Sequence, residues 1–264
     1  MSCITLLSDF GLQDASIASV KGILMQHMQQ VPIIDITHLI EPFHLQQAAY
    51  LLVASYKNFP EHTCHLLLFD IFSESIPRLL LCEKDGHYFF APDNGILSLA
   101  FGNEVNHVWK CFDLTEEAFL QTWVDKAGDL IKQLQATTPQ EMGMELCELK
   151  NAPQHCNARI ESNFVECQVI HIDRFENVVL NITQPEFEHV GAGRAFKIEF
   201  TRGEAITEIS THYYSVKEGD KLCRFNSSGY LEIAINRGKA ASLFGLKLHR
   251  GQHLIYNTIK ITFE

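Results

Sequence analysis

Residues 4–37 read ITLLSDFGLQDASIASVKGILMQHMQQVPIIDIT. The stretch opens on a short apolar run, Ile4 to Ser8, that stops at Asp9. A turn-prone Gly11-Leu12-Gln13-Asp14 follows, and Ile17, Val20, Ile23, Leu24 and His27/Met28 then recur at helical spacing between Ala15 and Gln29. Val31 to Thr37 is apolar again. Apolar strands alternating with helices imply a sheet covered on both faces. The alternation continues: a helix over Leu45 to Asn58 carries Ala48, Ala49, Leu52 and Val53 on one face, and a strand over Cys64 to Phe69 ends at Asp70. Leu79 to Glu83 and His87 to Ala91 flank Lys84-Asp85-Gly86, which predicts a hairpin with an Asp-Gly turn, and Thr115 to Leu134 is helical. An α/β domain over residues 1–155 is expected, with a largely parallel sheet flanked by helices.

After about residue 160 the pattern changes. FVECQVIHID, NVVLNIT, AFKIEF, ITEIST, KLCRF, YLEIAI and HLIYNTIKITF follow one another with little helix between them. Short strands at this spacing predict an all-β, barrel-like second domain over residues 160–264. Two domains also suit 264 residues at about 150 per domain.

Hydrophobic residues make up 46% and charged residues 20% of the chain, enough to fill a core. Lysine and arginine number 21 against 32 aspartates and glutamates, a formal charge of −11, which argues against nucleic acid or an anionic membrane as partner. An aspartate interrupts the N-terminal stretch where a secretory signal would be apolar, and no run approaches the ~18 apolar residues of a membrane span, so a cytoplasmic protein is expected. The eight cysteines are scattered without a CxxC pair and read as buried free thiols. Thirteen histidines are dispersed without metal-ligand spacing, so no metal is expected. Walker, GxGxxG, HExxH, GxSxG and EF-hand patterns are all absent.

In open α/β sheets ligands bind beyond the carboxyl ends of the strands. Asp9, Asp70 and Asp93 in the first domain and Asp173 in the second stand at such ends. Any one of them alone is better explained as a turn former or a helix N-cap. Four together, two of them in SDFG and PDNG contexts, suit a ribose diol or a cationic ligand.

Five segments in order then resemble the S-adenosylmethionine hydrolases, or SAM hydroxide adenosyltransferases, relatives of the fluorinases and chlorinases. They are ITLLSDFGLQDASIASVKG, IIDITHLIEPFHLQQAAYLL, FAPDNGILSL, VIHIDRFENVVLNI and NSSGYLEIAINRGKAASLFGL. The resemblance covers nearly the whole chain except about residues 71–78 and 104–160. It implies hydrolysis of S-adenosylmethionine to adenosine and methionine without a cofactor, by in-line attack of water on a ribose carbon. It also implies a homotrimer, with each site between the first domain of one subunit and the second domain of its neighbour. Carried over position by position, Asp9 would bind the ribose hydroxyls, with Asp14 and Ser16 lining the same pocket. Asp173 would hold the methionine amino group and Ser227 the methionine carboxylate. Phe175 and Asn177 would meet the adenine.

The chain departs from that pattern where the family activates water with an aspartate, an arginine and a histidine. Asp70 matches the aspartate, but the DPGVG-type turn that follows it in the family here reads Asp70-Ile71-Phe72-Ser73-Glu74-Ser75-Ile76-Pro77-Arg78. Arg78 falls one place beyond the expected arginine and is the candidate for it. The family's TFHGRD segment corresponds to EEAFLQTWVDKAGDL, and no histidine lies between His107 and His155. Glu176 replaces the glycine of the DRFGN turn, which calls either for a bulky anion beside the adenine or for a backbone that avoids positive φ. Two readings therefore stand: a hydrolase resting on Asp70 and Arg78, and a catalytically lapsed protein that binds an adenosyl ligand. Halide transfer is disfavoured, because the halide pocket is built on the altered loops.

Overall fold

The computed structural model describes residues 1–102, 104–113, 119–200, 204–248 and 258–264. The chain divides into two compact units, Met1–Pro153 and Gln154–Glu264.

The first unit runs β1 (Ile4–Ser8), α1 (Ser16–His27), β2 (Ile33–Thr37), α2 (Leu45–Tyr56), β3 (Cys64–Leu68), β4 (Arg78–Lys84), β5 (His87–Pro92), α3 (Ile96–Phe101), β6 (His107–Asp113), α4 (Leu120–Gln133) and β7 (Glu145–Leu146). Its sheet has the order β2-β1-β3-β5-β4-β6-β7. Successive residues of a strand point to opposite faces, and both faces of the central strands are covered. Leu6, Leu66 and Leu68 pack with Val20 and Leu24 of α1 and with Trp123 and Ala127 of α4. Leu7, Leu67 and Phe89 pack with Ala48 and Leu52 of α2 and with Leu97 of α3 on the other side.

The sheet is mixed, and this corrects the expectation of a largely parallel one. Pairs β1–β2, β1–β3 and β3–β5 are parallel, whereas β4–β5, β4–β6 and β6–β7 are antiparallel. The reason lies in the Asp-Gly turn. Asp85 at φ 50° and Gly86 at φ 75° make the two-residue connection that joins only antiparallel neighbours, so β4 turns back from β5 and β6 then pairs outside it. The helix expected over residues 115–134 begins at Leu120, and residues 115–118 lie outside the described residues.

The second unit contains β8 (Arg159–Ile160), β9 (Phe164–Ile172), β10 (Val178–Thr183), α5 (Gln184–Gly191), β11 (Phe196–Glu199), β12 (Ala205–Ile206), β13 (Lys221–Phe225), β14 (Tyr230–Ile235), α6 (Ala240–Phe244) and β15 (Thr258–Phe263). The strand order is β12-β11-β15-β9-β10-β14-β13, with β8 beside β9 and every one of these pairs antiparallel. A bridge from Ile209, just past β12, to Cys223 of β13 brings the ends of the path together, so the sheet is a nearly closed barrel around Val165, Leu180, Ile198, Ile233 and Ile261. The unit is not purely β, because α5 and α6 interrupt it. Thr183 starts α5: its N–H and hydroxyl both donate to Glu186, with Pro185 inside the first turn. Of the strand expected over ITEIST, only Ile206 lies in β12; of HLIYNTIKITF, residues 253–257 lie outside the described residues.

Candidate active site

Parallel β1, β3 and β5 end on one edge of the first sheet, and β4, running the other way, begins there. Asp9, Asp70, Asp93 and Arg78 consequently line one row in the strand order β1-β3-β5-β4. Ser8 pairs with Leu68, so Asp9 and Asp70 follow adjacent strand ends, Asp70 one residue further along than Asp9.

Burial pushes the Asp9 carboxyl above its ordinary range; the negative charge of Asp70 adds to the rise, and backbone N–H groups, Phe43 foremost, oppose it. Phe43 N–H donates to Asp9 Oδ2 at 3.5 Å from a left-handed backbone, φ 63°. Burial likewise raises Asp70. Asp70 itself sits at φ 44°, a conformation aspartate tolerates better than most residues, and Asn94 braces it by donating from Nδ2 to Phe69 O at 2.9 Å. Asn94 Oδ1 also accepts from Ile96 N at 3.1 Å, so one amide closes the turn leading into α3 and ties down the turn that presents Asp70. Sequence reasoning quoted this asparagine within PDNG without giving it a part. Two partly dehydrated carboxylates side by side can accept hydrogen bonds from the hydroxyls of a diol, and the less occupied of them can take a proton from water.

Arg78 stands on the same edge but faces Asp93, its Nη2 lying 3.3 Å from Asp93 Oδ2. Asp93 Oδ1 accepts from Lys150 N at 3.0 Å, and Lys150 Nζ pairs with Glu74. The loop that replaces the family turn is thus strapped at Glu74, and with Ile71, Ser73, Pro77, Arg78, Pro92 and Asp93 this residue lines a shallow depression. The stretch aligned with the family's histidine loop runs into α4, whose Trp123, Val124 and Ala127 are buried in the core. Asp14 and Ser16 sit at the start of α1. Exposed Asp14 accepts from Ser16 N at 2.8 Å, and that N–H together with the Ser16 hydroxyl holds its carboxyl below the usual range.

In the second unit, Asp173, Phe175 and Asn177 share the β9–β10 turn. Asp173 Oδ1 accepts from Phe175 N and Asn177 N, both at 2.9 Å, and Oδ2 accepts from Asn177 Nδ2 at 3.0 Å. The Phe175 ring is 74% exposed, a free stacking face, whereas Asn177 is buried. Glu176 keeps the positive φ, 64°, that the sequence change put in question, and turns its carboxylate to Lys239 Nζ at 2.7 Å and Ser242 N at 3.0 Å. Those contacts hold the carboxylate below its ordinary range. Beside this turn lies a group that sequence reading passed over: Tyr213 OH donates to buried Glu232 at 2.7 Å, and the Arg224 guanidinium sits 4.8 Å from the Tyr213 ring centroid.

Ser227 is not brought to this group. Val178 pairs with Ile233 and Thr183 with Tyr230, so Ser227, preceding Tyr230, lies beyond the far end of β10. Because β10 is bulged between Val179 and Thr183, the same span on β14 is three residue steps, so Ser227 stands roughly 10 Å or more from the Asp173 turn.

Residues 4–127 match the family model described as the SAM hydroxide adenosyltransferase N-terminal domain, and residues 167–251 match that of its C-terminal domain. A protein of Methanocaldococcus jannaschii named (R)-S-adenosyl-L-methionine hydrolase is 27% identical over 97% of this chain and 97% of its own. One of that name from Thermus thermophilus is 28% identical over 94% and 97%, and a fluorinase of Nocardia brasiliensis is 21% identical over 92% and 93%. Among solved structures, an uncharacterized conserved protein from Thermotoga maritima shares the fold at a TM-score of 0.80, with 22% identity over 98% of this chain and 99% of that one. With both family domains matched in order on a fold that carries the paired strand-end aspartates, the chain belongs to the SAM hydroxide adenosyltransferase family.

Proposed function

We propose that this protein hydrolyses S-adenosylmethionine to adenosine and methionine. The observation that carries the reading is the juxtaposition of Asp9 and Asp70 on adjacent strand ends, both partly dehydrated. Asp9 accepts the two ribose hydroxyls, and Asp70 orients a water and takes its proton. The water oxygen bonds to the ribose carbon as the carbon–sulfur bond breaks, and the electron pair of that bond neutralises the sulfonium to give the thioether of methionine. The proton passes from Asp70 to solvent. No cofactor enters this scheme, because the substrate's own positive sulfur makes the leaving group neutral. Asp14 and Ser16 line the pocket, and Arg78, steadied by Asp93, fixes the loop that follows Asp70. Phe175 stacks on the adenine, Asn177 pairs with its edge, and Asp173 attracts the methionine ammonium. Ser227 is left out for the geometric reason given above.

The active form is a homotrimer in which the first unit of one subunit meets the second unit of a neighbour. The chain works in the cytoplasm, a reducing compartment that suits its eight free cysteines. Diluting the protein until sedimentation shows monomers is expected to abolish adenosine binding, since each pocket then loses half its wall; full binding by the monomer contradicts this assembly. The experiment that tests the reaction is incubation of purified protein with S-adenosylmethionine while adenosine is followed by chromatography. Adenosine binding without turnover is the outcome that would leave the lapsed-binder reading in its place.

A further inference from the structure

Behind Asp9, the tip of β1 is tied to the segment after β2 by a chain of polar side chains that core packing does not require. Ser8 is fully buried and His38 is 3% exposed. Ser8 Oγ lies 2.7 Å from His38 Nδ1. His38 Nε2 approaches Asp35 Oδ1 at 3.0 Å, bent off the straight N–H direction, and Asp35 Oδ2 holds Lys21 Nζ at 2.6 Å. One proton assignment serves the whole chain: with Nε2 protonated beside the carboxylate, Nδ1 is left as acceptor, and the serine hydroxyl donates to it. The serine oxygen then faces Phe10 N–H at 3.4 Å. The same histidine's carbonyl accepts from Gly11 N–H at 2.7 Å. Asp9 therefore sits between residues that His38 holds on either side.

The residue types are those of a hydrolytic triad, but Ser8 has no exposed surface and cannot reach a substrate. The chain acts by placement. We infer that His38 is a positioning residue for Asp9: its ring, oriented by Asp35, fixes Ser8, its carbonyl fixes Gly11, and the two together hold the Asp9 carboxylate where the ribose hydroxyls meet it. This rests on the reading of Asp9 as the ribose-binding residue.

The molecule contains its own control. Thr5, also on β1, makes the same contact with His65, Oγ1 to Nδ1 at 2.7 Å, and both residues are fully buried. Thr5 is three residues from Ser8, about 10 Å along the strand and away from the edge that carries Asp9. Removing either hydroxyl orphans a buried histidine nitrogen, so both changes cost stability. Only one of them disturbs Asp9.

The test compares Ser8→Ala, His38→Ala, His38→Asn and Thr5→Val by calorimetric adenosine binding, steady-state kinetics with S-adenosylmethionine and thermal melting. Ser8→Ala and His38→Ala are expected to raise the adenosine Kd and the KM about tenfold with kcat within about twofold, the signature of lost uniform binding. His38→Asn, whose amide oxygen takes the place of Nδ1, is expected to recover most of that affinity. Thr5→Val is expected to lower the melting temperature to a similar extent and leave Kd and KM unchanged. Wild-type affinity in Ser8→Ala, or an equal loss of affinity in Thr5→Val, overturns the inference. If Ser8→Ala does not fold, Asp35→Asn at the exposed end of the chain reads the same affinity shift. A wild-type protein that binds no adenosine at all fails the functional reading first, and this inference falls with it.

Discussion

Asp70→Asn is expected to lower kcat by 10²- to 10⁴-fold while leaving adenosine affinity within about threefold. That factor is the usual contribution of general-base assistance, ~3–5 kcal/mol of barrier. Asparagine keeps the size of the side chain and can still hydrogen-bond a water, but it cannot take the water's proton. The selectivity of the effect is what matters. Asp70 is placed by its left-handed backbone and the Asn94 brace, neither of which the substitution removes. Single-turnover kinetics beside calorimetric adenosine titration separates the two quantities. Turnover within tenfold of wild type would remove Asp70 from the chemistry, and a collapse of adenosine affinity would mean that it binds the nucleoside instead.

Asp9→Ala is expected to act on the other quantity, weakening adenosine binding by about two orders of magnitude. Two hydroxyl donors on one carboxylate make two charge-assisted hydrogen bonds, each worth roughly 1.5–3 kcal/mol, and a tenfold change in Kd corresponds to about 1.4 kcal/mol. The burial that raises Asp9 sharpens this dependence, because a half-dehydrated carboxylate has few waters to give up when the diol arrives. Phe175→Ala serves as the comparison: an exposed ring stacking on adenine contributes about 0.5–1.5 kcal/mol beyond its area, so its loss is the smaller one. Calorimetry on both variants checks the order. An unchanged Kd in Asp9→Ala would withdraw the ribose-binding role.

The alternation of apolar strands and amphipathic helices in residues 4–69 was legible because every element there is long enough to show its period and both sheet faces are covered. The direction of β4 was legible too, once Asp85-Gly86 is taken at its full meaning: a two-residue turn reverses the chain and makes the sheet mixed. What periodicity could not reach were elements shorter than its window, α3 with six residues and α6 with five. For α5 the signal was present in Thr183-Gln184-Pro185-Glu186, a capping box with its proline, and it was lost among the flanking strands. At the site, Asp9 and Asp70 could be placed because strand ends converge on one edge. The partners of Arg78 and the distance of Ser227 could not be read, because both depend on strand register: Arg78 meets Asp93 through the β4–β5 pairing, and Ser227 is set apart by the pairing of β10 with β14. Glu176 shows the converse. Its side chain finds Lys239 and Ser242, 63 and 66 residues further along the chain, so the anion is held away by contacts that no local pattern announces.

The most direct measurement is the fate of S-adenosylmethionine in oxygen-18 water with the wild-type protein and with Asp70→Asn. Adenosine carrying the label at its 5′ oxygen, in equal amount to methionine and suppressed at least a hundredfold in Asp70→Asn, is the expected result. Unlabelled adenosine, or no adenosine above the buffer control from a protein that binds the nucleoside, would contradict the proposal that the Asp9–Asp70 edge directs water onto the ribose carbon.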